Sequence, residues 1–122
     1  SDAPLGSAGS FFDVDDPSAY PGHWCLDPPF VPRTMKRVDA TINAWRARDE
    51  APTILLIVPA SHTPDVAIDE TVTLHAGVHY YEGVDGSIAP LPVDVCVHRI
   101  GPMPGFDAEA IREGYLPNGP EA

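Results

Sequence analysis

Three prolines crowd residues 25–32, which read Cys-Leu-Asp-Pro-Pro-Phe-Val-Pro. A proline has no backbone N–H and its ring fixes φ, so Pro28 and Pro29 neither continue a sheet ladder nor sit inside a helix. The segment is therefore a rigid, extended loop. What precedes it must end near Asp27, and a helix begins no earlier than Pro32, where a missing N–H costs nothing.

The flanks of this loop have opposite characters. From Gly22 to Asp27 the chain turns apolar, which predicts a short strand. After the prolines, Met35, Val38, Ile42 and Trp45 follow one another at intervals of three, four and three, so they share one face of a helix over 32–48. Five of the seven basic residues, Arg33, Lys36, Arg37, Arg46 and Arg48, fall on its other faces. "TILLIVPA" at 53–60 is a continuous apolar run rich in β-branched residues, the pattern of a strand buried on both faces. Strand 22–27, helix 32–48 and strand 53–58 make a β-α-β unit, which is expected to cross over with the right hand.

Beyond this unit, "TPDVAIDE" at 63–70 predicts a short helix from Thr63 or Pro64. "TVTLHAGVHYYEG" reads as extended, and a turn-rich stretch, "VDGSIAPLP", leads to "VDVCVHRI", a strong strand. The two extended segments are expected to pair antiparallel at one edge of the sheet. Asp107 stands before an Ala-containing helical turn as a cap. Residues 1–21, rich in Gly, Ser, Pro and Asp, predict an extended arm; 22–114 form a single α/β unit, and 115–122 a tail.

Charge limits the partners. The 122 residues carry a formal charge of −11, and nucleic-acid phosphates need a Lys/Arg surface that this chain lacks as a whole. The basic residues after the proline loop are the exception, and the ordinary reading of such a run is a solvated helix face. No apolar run approaches the roughly 18 residues that span a membrane. Cys25 and Cys96 lie in apolar contexts and are expected to be buried free thiols.

A strand ending in an acid or amide, followed by Pro-Pro, an aromatic and a helix, has the chemistry to hold an aromatic amine. Its nitrogen lone pair is delocalised into the ring; acceptors placed on its N–H groups raise the electron density at nitrogen. The Asp27 carboxylate and the Pro28 carbonyl are the two acceptors, Pro28 and Pro29 hold them still, and Phe30 offers a flat face for stacking. The end of a strand in an open α/β sheet is where a ligand meets loop atoms without disturbing the core.

The stretches "CLDPPFVPRTMKRVDATINAW", "APTILLIVPA", "HYYEG" and "VDVCVHRIGPMPGF" together resemble the C-terminal, catalytic-motif half of the phosphorylated CTD-interacting factor family of cap-adjacent adenosine N6-methyltransferases. The resemblance covers about residues 22–106. It places the catalytic role on Asp27, Pro28, Pro29 and Phe30, with Asp27 standing where the family has asparagine. It implies an α/β, partial Rossmann-like methyltransferase sheet, strands four to seven, with flanking helices. It further implies that His79 and Tyr80 lie on the substrate side; in such an enzyme the basic helix face that begins with Arg33, Lys36 and Arg37 is expected to meet substrate phosphate. The family's cofactor site, a Gly-rich loop after a first strand and an acid after a second, precedes the matching region; "LGSAGS" at 5–10 has neither a strand in front nor a helix behind. S-adenosylmethionine would thus be held mostly by a second protein chain that completes the sheet, with RNA reaching the site through that partner.

Two other readings stand beside this one. A methyltransferase-derived structural subunit without activity would share the same sheet and the same need for a partner at its open edge. A small metal-binding module would use His75, His79 and His98; residues four apart on a strand are about 13 Å apart, too far to share one ion unless the strand bulges at Gly77. No metal is therefore expected.

Overall fold

The structure is a computed structural model that describes residues 23–48, 51–82 and 85–116. The expected arm at 1–21 and most of the tail lie outside the described residues. What is described is a mixed α/β unit with a four-stranded mixed sheet, a two-stranded sheet and two helices.

The elements are β1 (Trp24–Leu26), α1 (Pro32–Arg46), β2 (Ile54–Pro59), β3 (Glu70–Leu74), β4 (Tyr80–Glu82), β5 (Ile88–Pro90), β6 (Val95–Ile100) and α2 (Ala108–Gly114). In the main sheet the order is β1-β2-β6-β3. β1 and β2 run parallel, with Trp24 opposite Ile54 and Leu26 opposite Leu56. β6 runs antiparallel to both its neighbours, pairing Ile54 with Ile100 on one side and Leu74 with Val95 on the other.

The β1-α1-β2 unit forms because its apolar residues are spaced for it. Met35, Val38, Ile42 and Trp45 are all buried along one face of α1. They meet Trp24, Leu26, Ile54, Leu56, Val58 and Ile100 from one face of the sheet, and the Trp24 and Trp45 rings approach to 4.8 Å between centroids. α1 starts at Pro32 without any side-chain cap, after Val31 in an extended conformation. Strand alternation sends Leu55 and Ile57 to the other face. There they join Val72, Leu74, Val95 and Val97 beneath Phe106, Ile111 and Tyr115. β2 is thus covered on both sides, as its unbroken apolar run requires. Asp107 caps α2 by accepting from the N–H groups of Glu109 and Ala110.

Some expectations fail, each for a local reason. Residues 63–69 form no helix: Val66 and Ile68, two apart, pack against the first core, a period that suits extended chain. Asp69 holds this connector down, donating its N–H to the Arg99 carbonyl and accepting the Gly101 N–H on Oδ2. The extended run after Thr71 stops at Leu74. A turn follows in which Gly77 has φ +77° and the N–H groups of Val78 and His79 both donate to the His75 carbonyl. The chain resumes as β4, which pairs with β5 in a sheet of its own, so "VDGSIAPLP" is not merely a turn. The antiparallel partner of β6 at the sheet edge is β3 alone.

The cysteines also differ from expectation. Both are free, but Cys25 is exposed and Cys96 half-buried. Trp24 and Leu26 point to the α1 side and Val95 and Val97 to the other. Alternation therefore puts Cys25 and Cys96 on opposite faces of the sheet, and no disulfide can join them.

Ile42 is completely buried at the centre of the α1 contact. Ile42→Ala is expected to lower unfolding stability by about 2–5 kcal/mol, read as a drop in the urea midpoint at unchanged m-value.

Candidate functional site

At the carboxyl end of β1 the chain leaves the sheet through Asp27, Pro28, Pro29, Phe30 and Val31 and enters α1. Pro28 is buried, whereas Asp27, Pro29 and Phe30 reach the surface. The turn is tight: the Val31 N–H donates back to the Pro29 carbonyl at 2.7 Å, and the Val31 carbonyl accepts the first helical N–H, from Met35. With φ fixed at both prolines, few backbone torsions remain to move.

Asp27 continues the β1 alternation onto the face opposite α1. There it borders a cleft of about 240 Å³, together with Phe30, Ile57, Leu74, Tyr81, Leu91, Val93, Val95 and Tyr115. The lining is mostly apolar. Phe30, 44% exposed, and Tyr81, 43% exposed, present ring surface at its mouth. Tyr115 lies deeper. Its carbonyl accepts the Tyr80 N–H at 2.6 Å and its own N–H donates to the Arg112 carbonyl, so α2 and β4 together hold its backbone.

The electrostatics of this cleft follow from its apolar walls. Asp27 presents surface to solvent, yet burial of its carboxyl raises its pKa above the ordinary aspartate value. Neither its carboxylate nor the Pro28 carbonyl has a hydrogen-bond or ion-pair partner among the described residues. The Tyr115 phenol is pushed up by burial and, to a lesser degree, by the charges of Asp27 and Cys25. The Cys25 thiol is also raised by burial.

Of the residues singled out in the sequence, Asp27 and Phe30 line the cleft; Pro28 and Pro29 build the turn that presents them. His79 and Tyr80 do not line it. The His79 ring is buried, and Nδ1 accepts the His75 N–H at 2.9 Å; the strand break at Gly77 moves the neighbouring Tyr81 to the cleft instead. Arg33, Lys36 and Arg37 are exposed on α1, away from the cleft lining. Lys36 borders a separate, polar hollow of about 560 Å³ with Asp39, Asn43, His62, Thr63 and Asp65.

That hollow holds a pair that no sequence motif marks. Asp39, 4% exposed on α1, accepts from His62 Nε2 at 3.0 Å and from the Asp65 N–H at 3.1 Å. Its position, four after Met35 and three before Ile42, placed it on the buried face of the helix from the start. His98 lies behind, with Nδ1 2.8 Å from Thr71 Oγ1 and Nε2 buried without a hydrogen-bond partner among the described residues. Burial lowers its pKa, the nearby His62 adds to that, and Asp39 opposes it. The three histidines weighed as metal ligands do not assemble: His75 and His79 come to 6.1 Å between ring centroids because of the turn, while His98 is buried on the α1 side. Among the described residues no three His, Cys, Asp or Glu side chains form a group able to hold a metal ion, and no helix is long and apolar enough to cross a membrane.

Comparison with protein-family models, with curated proteins and with solved structures finds no match to this chain.

Because burial raises its pKa, Asp27 binds a proton more tightly in the folded chain than in the unfolded one. Its charge therefore costs stability as pH rises above the ordinary aspartate value, and costs nothing below it. Asp27→Asn is expected to be more stable than wild type at pH 7. The difference should close as pH falls through about 3.9, followed by urea unfolding at each pH.

Proposed function

We propose that this chain is the amine-holding half of a split, S-adenosylmethionine-dependent adenine-N6 RNA methyltransferase, completed by a partner chain. The observation that carries this reading is the unpartnered Asp27 carboxylate beside the Phe30 ring on one apolar cleft, with the Pro28 carbonyl, a second unpartnered acceptor, in the adjoining turn. The N–H groups of an adenine amine go to the two acceptors and the base lies against Phe30. Two prolines hold the acceptors in place before the ligand arrives, so little reorganisation accompanies binding. Stacking on Phe30 contributes about 1–3 kcal/mol.

The fold reading that goes with this is a partial Rossmann-like sheet. A parallel β-α-β unit with its loop at the carboxyl end of the first strand supports it, since ligands of open α/β sheets sit at such ends. β1 has a sheet neighbour on one side only among the described residues; a second chain pairing along that edge would both cover it and extend the sheet.

The described residues do not fit S-adenosylmethionine. Holding it calls for a Gly-rich turn whose N–H groups and close backbone approach accept the cofactor. The turn after β1 is instead filled by prolines, and "LGSAGS" at 5–10 lies outside the described residues. On this reading the described residues hold the amine, and the partner chain holds the methyl donor. The same misfit favours a second reading, an inactive structural subunit derived from such an enzyme.

One experiment separates the two. The full chain, purified with its co-purifying partner, should bind S-adenosylmethionine and methylate N6 of adenine in RNA. Asp27→Ala should reduce turnover at least a hundredfold, Asp27→Asn should keep a measurable part of it because its amide oxygen still accepts, and Phe30→Ala should weaken substrate binding roughly tenfold. An intact complex that binds no S-adenosylmethionine overturns the enzyme reading and leaves the structural one.

A further inference from the structure

We propose that Tyr115 reads the edge of the bound base, donating its hydroxyl hydrogen to the ring nitrogen beside the amine that Asp27 accepts, so that the cleft takes unpaired amino bases and rejects keto bases. This rests on the amine-holding reading of the cleft and names the substrate class of that site. Tyr115 shares the cleft with Asp27 and Phe30. Its backbone is tied to β4 through Tyr80 and to α2 through Arg112, and its side chain packs against the second core cluster. No hydrogen bond is made by its hydroxyl among the described residues.

The chemistry follows from what each group can do. Asp27 as a carboxylate only accepts; a protonated phenol donates. The phenol stays protonated across the neutral range because burial, and then the charges of Asp27 and Cys25, raise its pKa. An acceptor beside a donor is complementary to a base that shows an amino group next to a bare ring nitrogen. Adenine shows N6–H and N1 in this way, and cytosine N4–H and N3. Guanine, uracil and hypoxanthine show the reverse, a carbonyl oxygen next to an N–H, and would face carboxylate with oxygen and phenol with a proton. A site built to hydrogen-bond a group discriminates strongly against an analogue that lacks it, because its own polar atoms are left unpaired.

The same contact specifies the state of the substrate. Both groups use the Watson–Crick edge, so the base must arrive unpaired, from a single strand or flipped out of a duplex.

The test is a titration of the full chain, with its partner if one co-purifies, against adenosine, 1-deazaadenosine, which has C–H in place of N1, and inosine. Wild type should bind adenosine about tenfold or more tightly than either analogue. Tyr115→Phe should bind adenosine about tenfold more weakly and lose the preference over 1-deazaadenosine. The preference is a ratio measured within one variant, so it does not depend on how much of that variant is folded. A Tyr115→Phe protein that keeps the wild-type preference, while Asp27→Ala abolishes adenosine binding, overturns the role of Tyr115 and spares the amine-holding reading. Adenosine binding that is absent, or indifferent to Asp27→Ala, overturns both.

Discussion

Everything at the cleft depends on the turn between β1 and α1. Because β1 and β2 are parallel, the chain must leave the end of β1 and travel back along one face before it can enter β2. It reverses within residues 27–31, and α1 is then pinned by Met35, Val38, Ile42 and Trp45 against the sheet. Pro28, Pro29 and Pro32 stiffen the reversal, so the positions of Asp27 and Phe30 are set by the packing of the helix behind them. A softer turn would let both swing with the solvent, and the order needed to hold a ligand would have to be supplied at binding.

The two faces of the sheet are put to different uses. The face under α1 is a core that also buries Asp39 and His98; burial of the Asp39 carboxylate is tolerable because His62 and the Asp65 N–H both donate to it. These bonds tie the loop after β2 to the helix after β1, at the same end of the parallel pair as the proline turn. The opposite face is only partly covered by α2 and the β4–β5 ribbon. The part left open is the cleft, where Asp27 has no such donors and its pKa rises.

The β1-α1-β2 unit was legible in the sequence because each element has a single strong period and prolines mark its ends. Asp107 announced α2 in the same way. The 63–69 connector was not legible as extended chain, since Val66 and Ile68 find their partners only in the tertiary fold. The break at Gly77 was visible as a glycine in a strand pattern, yet which tyrosine it would deliver to the cleft depends on the turn geometry: Tyr81 rather than Tyr80. Tyr115 belongs to the site through long-range packing of α2, and nothing in "EGYL" signals it. Asp39 shows the reverse case, a charged residue in a helical core position whose partner, His62, lies 23 positions away.

Whether a flat amino base lies on Phe30 with its amine at Asp27 can be read from intermolecular nuclear Overhauser contacts with adenosine. Contacts are expected from the Phe30 and Tyr81 ring protons to H2 or H8 of the base, and none from the hollow around Lys36 and His62. Contacts confined to that hollow, or adenine protons without any neighbour along residues 27–31, would contradict this placement of the base.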